Sequence, residues 1–241
     1  MNRKSVRVFE DKEITPEIKD IILAAAMRAP TGGNCMPYSI IDVTDQSIKD
    51  KLAETCDHQP FIAQAKMVLI FCADYHRWYR KFKMAGCEDI PAPELSNMVL
   101  ATEDAVIAAH TACIAAESLG IGSCYIGDIM EHCELHRELF QLPPYVFPAV
   151  MLVLGYPTAR QRERIKPARC PLDSIVMENT YRKMDRDALY QMFSHKSGQQ
   201  SYEDWMTAFC NRKYNSDFSR EMGRSVREYL KEFLSSDQTE Q

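Results

Sequence analysis

No stretch of this chain approaches eighteen uninterrupted apolar residues, so nothing in it reads as a membrane-crossing helix, and its charged opening leads into no apolar signal core. A soluble, cytoplasmic protein without a membrane partner is the expectation. Positive charge is short as well: 29 Lys and Arg stand against 34 Asp and Glu, a net charge of −5 that gives no electrostatic support for nucleic-acid binding. The nine cysteines contain no C-x-x-C pair and are odd in number, and Cys72 and Cys113 sit inside apolar runs. They read as reduced core thiols. The phosphate loop G-x-x-x-x-G-K-[ST] is missing, as is H-E-x-x-H. In Glu131-His132-Cys133-Glu134-Leu135-His136 two histidines would share a helix face, but no third ligand follows, so no metal is expected. Gly120-Ile121-Gly122 leaves a helix and enters a strand, the reverse of a dinucleotide-binding turn. Repeats and low-complexity tracts are missing too.

What is present begins at Arg3-Lys4-Ser5-Val6-Arg7. If extended, this segment projects Arg3, Ser5 and Arg7 from one side, because strand side chains alternate. Guanidinium forks and a hydroxyl suit a phosphate monoester. A helix follows from about Thr15, a cap with Pro16 at the first helical position, and carries Ile18, Ile21, Ile22, Ala25 and Ala26 at helical spacing. Pro30 stops it. Thr31-Gly32-Gly33-Asn34-Cys35-Met36-Pro37 then forms a rigid loop before the apolar strand Tyr38–Val43.

Further along, Ser47 is read as the cap of a short helix, Met67–Ala73 as a strand, Glu103–Leu119 as an Ala-rich helix and Gly122–Ile126 as a strand. Tyr75, Trp78, Tyr79 and Phe82 suggest an amphipathic helix, with Pro91 and Pro93 marking an excursion. A polar break at Ser194–Gln200 precedes an amphipathic stretch, Tyr202–Phe209, and a helix near Phe218–Leu234, with Asp237–Gln241 frayed. With 241 residues, 46% of them hydrophobic, the chain can bury a substantial core.

The order R-x-S-x-R, amphipathic helix, A-P-T-G-G-N-x-x-P, apolar strand resembles the opening of the flavin-dependent nitroreductases. Gly120–Asp128, Val150–Pro157 and Lys166-Pro167-Ala168-Arg169 resemble later segments of that family in the same order. The similarity is greatest to its oxygen-insensitive nitroreductase and flavin reductase subgroup with an extended C-terminus. It implies an α+β fold, a central mostly antiparallel sheet flanked by helices in an intertwined homodimer. Residues 1–175 would form the FMN-binding core, with a helical excursion near 74–101, and 176–241 a helical extension packing on the core or the partner subunit.

The resemblance further implies FMN as cofactor, with Arg3, Lys4, Ser5, Arg7, Lys166 and Arg169 at its phosphate and ribityl chain. Pro30, Thr31, Gly32 and Asn34 would lie along the isoalloxazine, Gln59 would hydrogen-bond the ring, and Tyr125, Ile126, Gly127 and Asp128 would flank it near N5. Arg212 and Lys213 match the position of cations for a nicotinamide 2′-phosphate, against the alternative of a solvated basic turn. No catalytic side chain is required, because the flavin carries electrons from NAD(P)H to a nitroaromatic, quinone or flavin. Two departures stand out: Asp128 occupies the place of a second glycine, and K-P-A-R replaces K-P-R. A non-redox flavin-binding or flavin-processing protein of the same fold, a cofactor-free anion-binding protein, and thiol catalysis by Cys35 with His58 are the alternatives.

Overall fold

The computed structural model describes residues 3–87 and 89–234; the fraying expected of Asp237–Gln241 lies outside the described residues. In chain order the elements are α1 (Pro16–Met27), β1 (Tyr38–Asp42), α2 (Gln46–Thr55), α3 (Phe61–Gln64), β2 (Met67–Asp74), α4 (His76–Met84), α5 (Leu95–Ser118) and β3 (Gly122–Ile126). They continue with α6 (Cys133–Phe140), β4 (Val146–Gly155), α7 (Ala159–Glu163), α8 (Arg186–Phe193), α9 (Tyr202–Lys213) and α10 (Asp217–Leu230).

The four strands run β1-β2-β4-β3, and every neighbouring pair is antiparallel. Strands β2 and β4 are buried along their whole length because helices cover both faces. Alternation divides them: Leu69, Phe71, Leu152 and Leu154 join α1 and α5 on one side. Val68, Ile70, Met151 and Val153 join Leu52 of α2 and Phe61 and Ile62 of α3 on the other. Pro148 lies in the interior strand β4, where it removes a ladder donor; the register shifts between Phe71 and Cys72, which pair with Val150 and Pro148, leaving Ala149 as the extra residue.

Thr15 caps α1 as expected, its hydroxyl accepting from Ile18 N. The cap of α2 is Asp45 rather than Ser47: its carboxylate accepts from Ser47 N at 2.7 Å. Helix α5 starts two turns before the expected Glu103, where Glu94 and Asn97 form a reciprocal capping box. By length and composition α5 passes for a membrane span, yet Ala101, Ala105, Ala108, Ala109, Ala112 and Ala116 are packed in the core against α1 and the sheet. β4 begins at Val146, four residues before the Val150–Pro157 segment that resembles the family's central strand.

The described residues divide into two compact units, one from 3–163 with 221–234 and the other 164–220. The expected division set the boundary at 175 and read 176–241 as one C-terminal extension. In the first unit the end of α10 is core: Ser225 and Tyr229 are buried, Cys133 N donates to Ser225 Oγ at 3.0 Å, and Tyr229 meets Phe147 edge-on. The second unit holds α8 and α9, capped by Asp185 and Ser201, with Tyr190, Tyr202, Trp205 and Phe209 in a row of ring contacts. None of its described residues is fully buried.

Candidate functional site

The N-terminal segment is laid across the ends of β3 and β4. Ser5 bridges Ser123 in parallel, Val6 N donates to Ser123 O at 2.9 Å, and Phe9 bridges Pro157. Two glycines permit this approach: a Cβ on Gly122 would meet Val6 at 2.5 Å and one on Gly155 would meet Phe9 at 2.6 Å. Val6 is buried, so its neighbours Ser5 and Arg7 project the other way, as alternation requires. Arg7 and Ser5 both interact with the Cys124 thiol, whose pKa burial raises and the Arg7 charge lowers. Arg3 likewise opposes the rise that burial imposes on the Tyr125 hydroxyl. Lys4 departs from this group, its ammonium donating to the carbonyl of Arg162. The phosphate-type donors near β3 are thus Arg3, Ser5 and Arg7, with Arg7 also lying over the Phe61 ring at 5.8 Å.

β3 runs directly into the turn Gly127–Met130, which brings Asp128 beside the same strand. Its carboxylate raises the pKa of both Cys124 and Cys56. The end of α2 packs against this turn. There Asp57 and His58 take left-handed backbone, with φ of 58° and 49°, and deliver Gln59, whose side-chain amide donates to Cys56 O at 2.9 Å. Glu131 carries a perturbation that sequence reasoning missed. It is 4% exposed, and burial followed by the charges of Asp128, Asp57 and Glu221 pushes its pKa up to about 7. Only Asp128 is close in sequence; Asp57 and Glu221 come from distant positions, and the burial is set by the fold.

The loop after α1 is a second focus. Gly33, Asn34 and Met36 all have positive φ, of 57°, 57° and 48°, a region that Gly and Asn tolerate but that costs Met36 about 1–2 kcal/mol. Thr31 Oγ1 donates to the buried carboxylate of Asp104 and accepts from Met36 N at 2.9 Å. Gly32 N donates to the same carboxylate at 3.2 Å, and Trp78 Nε1 donates to Cys35 O at 2.8 Å. Pro30 and Asn34 are exposed on this loop. A groove of about 750 Å³ opens beside it, between α1, the free edge of β1 and α4, lined by Met27, Cys35, Met36, Arg77 and Trp78 among others.

The matching family model is "Nitroreductase family", over residues 1–156. That span exceeds half of the chain. The chain belongs to the nitroreductase family. Similar curated proteins include the NAD(P)H-dependent FMN reductase of Bacillus subtilis, 32% identical over 231 residues that cover 95% of this chain and 88% of that one. The oxygen-insensitive NADPH nitroreductase of Salmonella typhimurium is 33% identical, covering 77% and 74%. Among solved structures, the NfrA1 nitroreductase of B. subtilis superposes with a TM-score of 0.77 at 28% identity, covering 92% and 96%. Membership makes this chain an oxidoreductase that uses FMN, and the α+β antiparallel fold expected from the resemblance is the one observed.

The remaining expected site residues belong to the second unit. Lys166 and Arg169 are exposed there. Arg212 and Lys213 occupy the last turn of α9, a favourable place for cations, with Arg212 over Phe209 at 5.5 Å and Lys213 near Phe218 at 5.8 Å. His136 is engaged at both ring nitrogens, by Thr55 Oγ1 and by Ile129 O, each at 2.9 Å. The thiols are all free, but Cys35, Cys87 and Cys210 are exposed and Cys170 is half-buried, so the expectation of uniformly buried thiols is corrected.

Proposed function

We propose that this protein is an NAD(P)H-dependent, FMN-containing reductase that delivers two electrons to a nitroaromatic, quinone-like or flavin acceptor by a ping-pong route. The observation that carries this reading is the gathering of Arg3, Ser5 and Arg7 along β3, next to the turn at Gly127 and Asp128. The donor set fits the group: two guanidinium forks and a hydroxyl match a terminal phosphate monoester. When bound, FMN supplies the hydride chemistry, accepting from a nicotinamide and passing two electrons onward.

The protein residues bind and orient. Arg3, Ser5 and Arg7 hold the phosphate, and Gln59, whose amide donates to Cys56 O, is proposed to hydrogen-bond the ring. Tyr125 and Ile126 set the direction of that turn as the last residues of β3. The resemblance alone proposes Lys4, Lys166 and Arg169 as further phosphate contacts, Pro30, Thr31, Gly32 and Asn34 along the ring, and Arg212 and Lys213 for the nicotinamide. Asp128 places a carboxylate where the family pattern has glycine, which disfavours added negative charge and lowers the potential of the centre it faces.

A homodimer completes this proposal. Beyond its buried alanine face, α5 leaves Leu100, Val106, Ile107 and Ile114 between 39% and 55% exposed. Residues 164–220 bury none of their described side chains and leave Ile165 90% and Leu172 78% exposed, so they lack a core of their own. A second copy supplies surface for both.

An anaerobic absorption titration of the purified protein with NADH and NADPH tests the reading. A bound flavin released as FMN and bleached by a nicotinamide is expected. Release of FAD, or a flavin that stays oxidised with both donors, overturns it, the latter in favour of a non-redox flavin-binding role.

A further inference from the structure

The geometry points to Asp104 as the positioning residue that holds the Thr31–Met36 loop in its working shape, an inference that rests on the FMN reading above. Asp104 lies in the middle of α5 and is 8% exposed. Its carboxylate takes the Thr31 hydroxyl proton and the Gly32 N–H, the latter at 3.2 and 3.4 Å to its two oxygens. Thr31 Oγ1 uses its remaining capacity to accept from Met36 N at 2.9 Å. A continuous line of hydrogen bonds therefore runs from α5 through Thr31 to the far end of the loop. Trp78 grips the same loop from α4 through Cys35 O at 2.8 Å.

This arrangement is not what packing alone would select. Among the described residues no lysine or arginine pairs with Asp104, and its helical neighbours Ala101, Ala105 and Ala108 are small and apolar. A buried carboxylate without a cation is unfavourable unless its donors are worth the desolvation. Here the donors among the described residues, Thr31 Oγ1 and Gly32 N, both belong to the loop, and the loop carries left-handed backbone at Gly33, Asn34 and Met36 that a free segment would leave. The charge on Asp104 orders that backbone before the cofactor arrives, so that binding does not have to.

Apo-protein of wild type and of Asp104→Ala, Asp104→Asn, Thr31→Val and Thr31→Ser is titrated with FMN by fluorescence quenching. A parallel set in a Trp205→Phe background makes Trp78 the sole reporter of loop docking, since the chain has two tryptophans. Asp104→Ala and Thr31→Val are expected to raise the FMN Kd about ten- to a hundredfold and to shift Trp78 emission to the red. Thr31→Ser, which keeps the hydroxyl, should restore both, and Asp104→Asn should fall between. Thr31→Val keeps the test sharp should Asp104→Ala fail to fold. Unchanged FMN affinity and Trp78 emission in Asp104→Ala and Thr31→Val overturn the inference while leaving the FMN reading intact. A wild-type protein that takes up no FMN overturns that reading and this inference with it.

Discussion

Arg7 and Glu131 represent two kinds of charge in this molecule, one aimed at a ligand and one confined by its neighbours. Arg7→Ala removes a charged donor from the Arg3, Ser5, Arg7 group, a loss of about 1.5–3 kcal/mol or roughly ten- to a hundredfold in FMN affinity; isothermal titration of apo-protein measures it. Glu131 acts on stability. Its folded pKa is raised to about 7 from 4.5, so the folded form keeps a proton that the unfolded chain gives up. Stability is full below pH 4.5, falls as the pH rises to about 7, and is flat above that. Glu131→Gln should therefore add about 1–3 kcal/mol in urea denaturation at pH 8 and nothing at pH 4. Glu134 and Glu221, held near 2 by Arg224, lose their contribution only as the pH falls from 4.5 towards 2, so the two windows separate. A stability gain in Glu131→Gln that is equal at pH 4 and pH 8 would show that the carboxyl is not perturbed. The R-x-S-x-R group was legible in the sequence because strand alternation is a local rule. Asp104 was not, because its partner Thr31 is 73 residues away, and neither was Glu131, whose shift sums charges from separate elements.

Helix α5 shows how an element can be legible while its facing is not. The alanines at 105, 108, 109, 112 and 116 announce a helix that something approaches closely, but small residues admit a sheet, a helix of the same chain or a second copy equally well. The structure assigns them to α1 and the sheet. The large apolar residues left outside are Val99, Leu100, Val106, Ile107 and Ile114; Leu100, Ile107 and Ile114 recur every seven positions and so share one face, with Val99 and Val106 alongside. Ala109→Trp and Ala112→Trp, at sites with 0% exposure, should thus overpack the core and cost at least about 1–3 kcal/mol of subunit stability rather than act at an interface. Ile107→Arg and Ile114→Arg should leave the subunit folded by far-UV circular dichroism and shift the mass in light scattering from dimer to monomer, with loss of bound flavin. A monomeric wild type that retains flavin, or a dimeric Ile107→Arg, Ile114→Arg double variant, would remove α5 from the interface. The start of α5 was misread for a related reason. Its first two turns follow directly on Pro91 and Pro93, and Glu94 is not among the favoured cap residues, so the capping box at Glu94 and Asn97 is visible only once the side chains are placed.

At the scale of the whole molecule, the division of the chain sets where specificity is expected. The first unit carries Arg3, Ser5, Arg7 and the Gly127–Asp128 turn and is tied by the sheet, whereas residues 164–220 are helical, without fully buried side chains among those described, and hold Lys166 and Arg169 as well as Arg212 and Lys213 at the end of α9. That end already has partial negative charge from the helix carbonyls, so the two cations are partly balanced there and each also rests on a ring, Phe209 or Phe218. A structural role and a ligand role for Arg212 hence predict different things. NADPH differs from NADH only by the 2′-phosphate, so a residue that reads this group should affect one donor alone. Arg212→Ala is expected to raise KM for NADPH about tenfold, the share of one charged hydrogen bond of about 1.5 kcal/mol, while leaving kcat and the NADH parameters within twofold. Should Arg212 serve only to anchor α9 through Phe209, both donors would weaken together and the melting temperature would fall. The same measurements test the order of events: if nicotinamide and acceptor use one site in turn, double-reciprocal plots are parallel for either donor and in the variant. Intersecting lines would mean that both substrates are held at once and would overturn the ping-pong proposal while leaving the assignment of Arg212 to be judged by its KM alone.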